Sequence, residues 1–181
     1  MLISITDYKI IRNDVPVLTR TDDGLYVKTN CLLNDFNIES ENLKNLLSEF
    51  DYKNNILDTV KQYGHSPRYT PVLHILTNYD IQTPDFYAPR DVLAVAMFLD
   101  HGANSPTWLD FFEVNHNYRQ YANETQKYKK VGESAIKSLQ QEYKNQGIEG
   151  RATYSALSFY LKYGFKRIDD RECYLRWGPQ R

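Results

Sequence analysis

An unbroken apolar run at positions 92–99 constrains the fold of this chain more than its other features do. It reads VLAVAMFL, which is the length of one β-strand, and it contains no polar side chain that would face water. Such a run is typical of a strand at the centre of a sheet that is covered on both faces. It is too short to cross a bilayer, for which a helix needs about 20 apolar residues.

Length and composition favour a single domain without a secretory or membrane segment. The 181 residues are 41% apolar and 25% charged, which allows a sizeable core but is short for two full domains. The net charge of -1 provides no overall field for a polyanion, so neither nucleic acid nor a membrane is expected as a partner. Cys31 and Cys173 lack the spacing of a zinc site. Asp7 and Lys9 leave no room for a signal peptide, so the predicted location is the reducing cytoplasm.

The first half of the chain predicts strands followed by a pair of helices. Residues 2–11 and 25–33 have strand composition, and the turn signal at 22–24 suits a hairpin. Ser40 is a suitable cap for a first helix, and a second helix ends at Gly64. A short strand at 72–76 and an irregular connection at 78–90 follow, and this connection is the predicted substrate-side loop.

The second half predicts the rest of a mixed α/β fold. The apolar run at 92–99 and a strand at 108–114 form a hairpin, and a helix with a clean apolar face covers 131–143 before a stop at Gly147. A strand at 148–153, a helix at 155–163 and closing strands at 165–168 and 173–177 complete the order. We divide the single domain 1–181 into N-terminal strands (1–37), helices with acceptor-side loops (38–90) and a core (91–177).

One stretch near the C-terminus is specific enough to suggest a family. It reads ALSFYLKYGF over 156–165, with Phe159-Tyr160 and Gly164-Phe165 as its distinctive pairs. It resembles a signature of the GNAT acyl-CoA N-acyltransferases, whose fold is a central, mostly antiparallel mixed sheet that opens between its fourth and fifth strands. The resemblance implies that Tyr160 protonates the departing CoA thiolate as a general acid. The alternative is that Tyr160, one of fifteen tyrosines, simply packs a short helix against the sheet.

Two further segments are similar to the part of that family that binds the cofactor. Residues 111–119, FFEVNHNYR, resemble its fourth strand, which implies that Val114 and Asn115 offer backbone groups to the pantetheine arm. Residues 127–133 resemble its pyrophosphate loop at a helix start, where exposed N–H groups and the helix dipole attract an anion. The implied cofactor-binding residues there are Lys127, Tyr128, Lys129, Lys130, Val131, Gly132 and Glu133.

This second segment departs from the family pattern in two ways. Lys130 stands where the family has a glycine that permits close backbone approach. About eight extra residues, near 120–127, precede the loop when it is compared with usual connection lengths. The alternative interpretation of the lysines is a solvated helix start.

The resemblance implies direct transfer of an acetyl or other acyl group from acetyl-CoA to a primary amine, with no metal. A base is then needed for the amine proton, and Glu113 and Asp110 are the candidates. In a regular strand they point to opposite faces, so at most one lines the cleft, and we favour Glu113. The histidines are isolated in sequence, and His74 suits a hydrogen-bonded strand residue better than a metal ligand.

Two other functions stay open at this point. One is a member of the same fold that binds CoA as a sensor without turnover, which the altered loop at Lys130 favours. The other is a protein-interaction module that binds no CoA. The acceptor, the acyl length and the oligomeric state, including a homodimer, are not decided by the sequence.

Overall fold

A computed structural model describes the protein over residues 3–4, 9–12, 19–20, 26–34, 44–45, 47–63, 66–77, 86–87, 92–102, 104–119, 130–169 and 173–179. Its helices are α1 (Lys53–Tyr63), α2 (Val131–Glu142) and α3 (Tyr154–Lys162), with a short 3-10 helix at His116–Tyr118. Its strands are β1 (Ile3–Ser4), β2 (Lys9–Arg12), β3 (Thr19–Arg20), β4 (Tyr26–Asn34), β5 (Thr70–Thr77), β6 (Phe86–Tyr87), β7 (Val92–Asp100), β8 (Thr107–Val114), β9 (Ile148–Arg151), β10 (Lys166–Arg167) and β11 (Tyr174–Trp177).

Strand β7 lies in the interior of the large sheet. It pairs with β5 along one edge and with β8 along the other, antiparallel in both cases. Each side chain from Val92 to Leu99 is at most 6% exposed. The prediction of a central strand buried on both faces is therefore confirmed, and its apolar composition follows from that position.

The sheet is mixed but mostly antiparallel. Its strands follow the order β10-β11-β9-β8-β7-β5-β4-β2, and β3 also pairs with β4. The parallel pair is β8 with β9, and it covers only the three positions from Thr107↔Ile148 to Leu109↔Gly150. Strand β8 continues to Val114 while β9 ends at Arg151, so the sheet opens between them. The predicted class, a mostly antiparallel mixed sheet flanked by helices, is confirmed.

Helices cover both faces of this sheet. Glu113 and Val114 are neighbours on β8, so their side chains point to opposite faces. Glu113 bonds to the backbone of Asp51 and Tyr52, just before α1, whereas Val114 lies against Gly132 of α2. Helix α1 therefore covers one face, and α2 covers the other.

The helices of the second half agree with the sequence pattern. Helix α2 buries the predicted stripe, including Val131, Ala135, Ile136 and Leu139, each at most 1% exposed. After α2, the Gly147 N–H donates to the Tyr143 carbonyl at 2.7 Å, as expected of a stop. None of the helices in these described ranges is long and apolar enough to cross a membrane.

The first half differs from the prediction in its first helix. Residues 44–45 are helical, but 47–49 form turns, in which Ser48 and Phe50 donate to carbonyls three residues earlier. The predicted helix therefore does not continue through Leu47 to Phe50, although both of these apolar residues are buried. The predicted cap Ser40, the turn at 22–24, Gly64 and most of the connection at 78–90 lie outside the described residues.

Candidate active site

A β-bulge in β8 brings both candidate carboxylates to the face covered by α1. The register shifts by one residue opposite Met97 and Phe98 of β7, which leaves Asp110 without a partner there. Asp110 Oδ2 accepts a hydrogen bond from the Thr59 hydroxyl of α1 at 2.8 Å. Glu113 bonds to the backbone just before the same helix. The prediction that the two point to opposite faces is wrong, because the extra residue of a bulge interrupts the alternation.

The Glu113 carboxylate is buried and fully engaged. Its Oε1 accepts from the Asp51 N–H at 2.9 Å, and its Oε2 accepts from the Tyr52 N–H at 3.0 Å. The Arg119 guanidinium also donates to Oε1, and it donates to Asp51 Oδ2 at 2.9 Å. The Glu113 side chain is 5% exposed. Since a general base needs an oxygen open to the amine, this geometry favours a structural role in which Glu113 ties β8 to the turn before α1.

The end of β8 directs backbone groups into the opening of the sheet. The Asn115 N–H donates to the Leu93 carbonyl of β7 at 2.9 Å. In an antiparallel ladder such residues alternate with residues whose N–H and C=O groups point away from the partner strand. Phe112 and Val114 are those alternate residues, so their groups are directed to the side that β9 has left. The Val114 carbonyl there accepts from Arg119 Nε at 3.0 Å.

Asn115 is less suited to the predicted contact with pantetheine. Its N–H is committed to Leu93, and its carbonyl accepts from the Tyr118 N–H at 2.9 Å. Its side chain donates to the Val92 carbonyl at 3.0 Å and accepts from the Asn117 N–H at 3.0 Å. Asn115 is 0% exposed. These contacts make it the residue that ends β8 and begins the short 3-10 helix. Its N–H is already used, and its burial keeps a ligand from its carbonyl in this conformation.

Helix α2 begins without a side-chain cap. Lys130 precedes it in the left-handed conformation, with φ 57° and ψ 30°, and no side chain caps the helix from this position. The first helical bond runs from the Ser134 N–H to the Lys130 carbonyl at 3.0 Å. The N–H groups of Val131, Gly132 and Glu133 come before that bond and point out of the helix start. Their direction and the helix dipole favour an anion.

Gly132 brings this helix start close to β8 and α3. A Cβ atom at Gly132 would lie 3.3 Å from Val114 Cγ2, which is tighter than usual packing, and 3.5 Å from Phe159 Cε2, which is ordinary contact. The absence of a side chain thus sets the distance between the helix start and the open edge of β8. The other three residues of the predicted loop, Lys127, Tyr128 and Lys129, lie outside the described residues.

The side chain of Glu133 is turned toward neighbours on the helices. It accepts from Lys137 Nζ at 2.6 Å and from the Tyr163 hydroxyl at 3.1 Å. The hydrogen bond from Lys137 lowers the pKa of the Glu133 carboxyl, and it outweighs the opposing effect of desolvation. Glu133 therefore has its backbone N–H, rather than its carboxylate, to offer to an anion at the helix start.

Tyr160 lies on α3 beside the opening of the sheet. Its ring contacts Phe159 and Phe165 edge-on, with centroid distances of 5.4 and 5.3 Å. Burial raises the pKa of its phenol well above the ordinary value of tyrosine. Within the part of the chain that the structure describes, its hydroxyl has no hydrogen-bond partner. The phenol is thus protonated at neutral pH and free to donate to a ligand.

Two cavities meet at Tyr160. The larger, of about 390 Å³, extends along β8 and β9 and includes Asp110 and Phe111 in its lining. The smaller, of about 320 Å³, extends along the end of β8, with Val114 and Phe159 in its lining. We call them the bulge cavity and the strand-end cavity. The residues that line both are Tyr52, Phe112, Ala156 and Tyr160.

Tyr52 and Thr59 are site residues that sequence reasoning missed. Tyr52 lines both cavities, and its ring lies 5.8 Å from that of Phe111. Thr59 orients Asp110. Both residues reach the site from a segment about fifty to sixty positions before β8, and no local pattern marks them. Contacts in the fold identify them: Tyr52 donates its N–H to Glu113, and Thr59 donates its hydroxyl to Asp110.

The described histidines have structural contacts. His74 is 2% exposed, and its Nε2 lies 2.9 Å from the Tyr143 hydroxyl, in agreement with the predicted hydrogen-bonded strand histidine. His116 contacts Glu49 through the Glu49 carbonyl and carboxylate. Within the described ranges, no group of three His, Cys, Asp or Glu side chains is arranged to hold a metal ion.

Comparisons with known proteins give distant structural likenesses. No family model and no curated protein matches the sequence. A solved structure described as the KacTA-DNA complex is 11% identical, with a TM-score of 0.37, and the match covers 98% of this chain and 91% of that chain. A second, described as AtaTR bound with AcCoA, is 14% identical, with a TM-score of 0.39, and the match covers 94% and 91%. Structural likeness at this level of identity and TM-score identifies no family for this chain.

Proposed function

We propose that this protein transfers an acetyl or similar acyl group from acetyl-CoA to a primary amine. The observation that carries the proposal is the position of Tyr160, whose unpartnered phenol lies where two cavities meet beside an opened pair of strands. A bisubstrate reaction needs two connected spaces with an acid at their junction. The GNAT resemblance of residues 156–165 points to the same residue independently of the geometry.

In this proposal, the strand-end cavity receives the thioester arm. The outward N–H groups of Val131, Gly132 and Glu133 bind the pyrophosphate, and Lys130 adds a positive charge. The resemblance to the GNAT family assigns Lys127, Tyr128 and Lys129 to the same function. The backbone N–H of Val114 faces the opening and serves the pantetheine, whereas the committed backbone of Asn115 supports the strand end.

The chemistry is direct transfer between the two bound substrates. The amine attacks the thioester carbonyl, the bond from carbon to sulfur breaks, and Tyr160 protonates the leaving thiolate. A phenol with a raised pKa is a weak acid, yet it is protonated, and Tyr160 lines both cavities. Asp110, rather than the engaged Glu113, takes the amine proton directly or through water, because Asp110 lines the bulge cavity.

The test is a steady-state assay of thiol release from acetyl-CoA with a panel of primary amines. We expect Tyr160→Phe to lower kcat about 100-fold or more while the Kd for acetyl-CoA stays unchanged. Tyr154→Phe is the matched control, because Tyr154 begins the same helix but is 83% exposed. An equal kcat for the Tyr160→Phe variant and the wild type would remove the assigned acid from the mechanism.

A non-catalytic CoA-binding protein of the same fold is the second candidate. The observation that favours it is the engagement of Glu113, whose oxygens both accept hydrogen bonds from the protein itself. The left-handed Lys130 at the anion site favours it as well. Binding of acetyl-CoA without thiol release for any amine in the panel would select this candidate.

A further inference from the structure

The walls of the bulge cavity are largely aromatic. Five rings line it, from Tyr52, Phe111, Phe112, Tyr160 and Phe165. The rings of Tyr52 and Phe111 are 5.8 Å apart at a tilt of 32°, so the turn before α1 and strand β8 together present one aromatic surface. Surfaces of this kind bind apolar bodies, and aromatic faces also attract cations.

Among the described residues, the cavity has one carboxylate in its lining, and no described cation forms an ion pair with it. Two charged residues, Asp110 and Arg151, line it. The Arg151 guanidinium is drawn to the ring of Tyr174, 5.5 Å from its centroid, and Arg151 is exposed to solvent. Asp110 is half-buried, and Thr59 holds its Oδ2 at 2.8 Å. Its Oδ1 has no donor within the described ranges, so one carboxylate oxygen is oriented and open to a ligand.

Asp110 and Glu113 differ in how many hydrogen bonds their carboxylates accept. Glu113 lies on the same face, but Arg119 and two backbone N–H groups satisfy it. A half-buried carboxylate without such donors attracts a cation that can donate hydrogen bonds. A primary ammonium group fits this requirement, and the rings around it suit an apolar body.

We infer that the bulge cavity binds a primary ammonium ion carried on a ring-bearing apolar body, with the ammonium on Asp110 and the body packed against the rings of Tyr52 and Phe111. This inference rests on the proposed function, for which it names the acceptor class. It predicts that the acceptor is a small cationic amine and not an acidic or strongly polar molecule.

Equilibrium binding tests this assignment without turnover. Phenethylammonium is the probe, phenethyl alcohol is the neutral partner with the same body, and propylammonium is the cation without a ring. Calorimetry on the full chain is expected to give phenethylammonium an affinity about tenfold or more above both others. Asp110→Asn should reduce the affinity for phenethylammonium about 10- to 100-fold and leave phenethyl alcohol unchanged.

Asp58→Asn is the matched control, because it removes the same charge from the exposed side of α1 next to Thr59. It should bind phenethylammonium like the wild type. Equal binding of the alcohol, or unchanged binding to a folded Asp110→Asn variant, overturns the role of the carboxylate. Equal binding of propylammonium overturns the ring-bearing body. Acetyl-CoA titrated into the same samples separates the two proposals, since its failure to bind contradicts the proposed function and an amine failure alone contradicts this assignment.

Discussion

At the residue scale, Glu113 links three parts of the site through one buried carboxylate. It accepts two backbone N–H groups and pairs with Arg119. Glu113→Gln removes the charge and leaves donors without full partners. We expect a loss of about 2 kcal/mol in the free energy of unfolding, and a thermal midpoint about 4–8 °C lower. Calorimetric unfolding measures both.

The control for this prediction is an exposed ion pair. Lys137→Gln breaks the contact with Glu133 on the surface of α2, where the Lys137 side chain is 48% exposed. Such pairs contribute about 0.3–0.5 kcal/mol. If both variants lose the same stability, the carboxylate of Glu113 does not hold β8 to the turn before α1.

The local sequence pattern points to Tyr160, but it does not reveal which of the other candidate groups are already hydrogen-bonded in the fold. Tyr160 lies in a locally specific stretch, and its position at the cavity junction agrees with that stretch. Glu113 and Asn115 are hydrogen-bonded to partners that the sequence does not reveal. The partner of Glu113 is about sixty residues away, and that of Asn115 is on β7. A polar group with no partner nearby in the sequence can still be hydrogen-bonded to a distant segment in the fold.

At the scale of single elements, the start of α2 gives a prediction about backbone strain. Lys130 adopts a left-handed conformation that costs a residue with a Cβ atom about 1–2 kcal/mol. Lys130→Gly removes that cost, partly offset by about 0.5–1 kcal/mol of added chain entropy in the unfolded state. We expect Lys130→Gly to be more stable than Lys130→Ala, which loses the same charge but keeps the Cβ atom.

Both Lys130 variants should bind acetyl-CoA more weakly than the wild type, because each removes a cation from the proposed pyrophosphate site. Thermal unfolding and acetyl-CoA titration of the two variants measure these effects separately. A Lys130→Gly variant less stable than Lys130→Ala would contradict the strain at this position. Unchanged affinity in both would remove Lys130 from the cofactor site.

Elements with strong periodicity were predictable, and irregularities were not. The apolar run of β7 and the stripe of α2 each require a specific burial pattern, and each occurs as expected. The bulge at Asp110 arises from the register of β8 against β7, which the composition of β8 alone does not contain. The bulge puts Asp110 on the same face of the sheet as Glu113. One extra residue in β8 therefore accounts for the wrong prediction that the two carboxylates point to opposite faces.

At the scale of the whole molecule, the candidate site lies where β8 and β9, a parallel pair among the described strands, stop pairing. Strand β8 leaves β9 after three paired positions, and helices from opposite faces contribute to the gap. Helix α1 and the turn before it contribute Thr59 and Tyr52, and α3 contributes Tyr160. The order of strands and helices predicted the mixed α/β class, but the width and lining of the opening depend on contacts between distant segments.

The central claim is that this opening binds acetyl-CoA. The most direct measurement is calorimetric titration of the purified chain with acetyl-CoA, with ADP as the control for nonspecific nucleotide binding and thermal unfolding in parallel. We predict saturable binding of acetyl-CoA and, at about a hundred times the Kd, a stabilisation of about 2.7 kcal/mol. The absence of both heat and stabilisation, or an equal response to ADP, would contradict the claim.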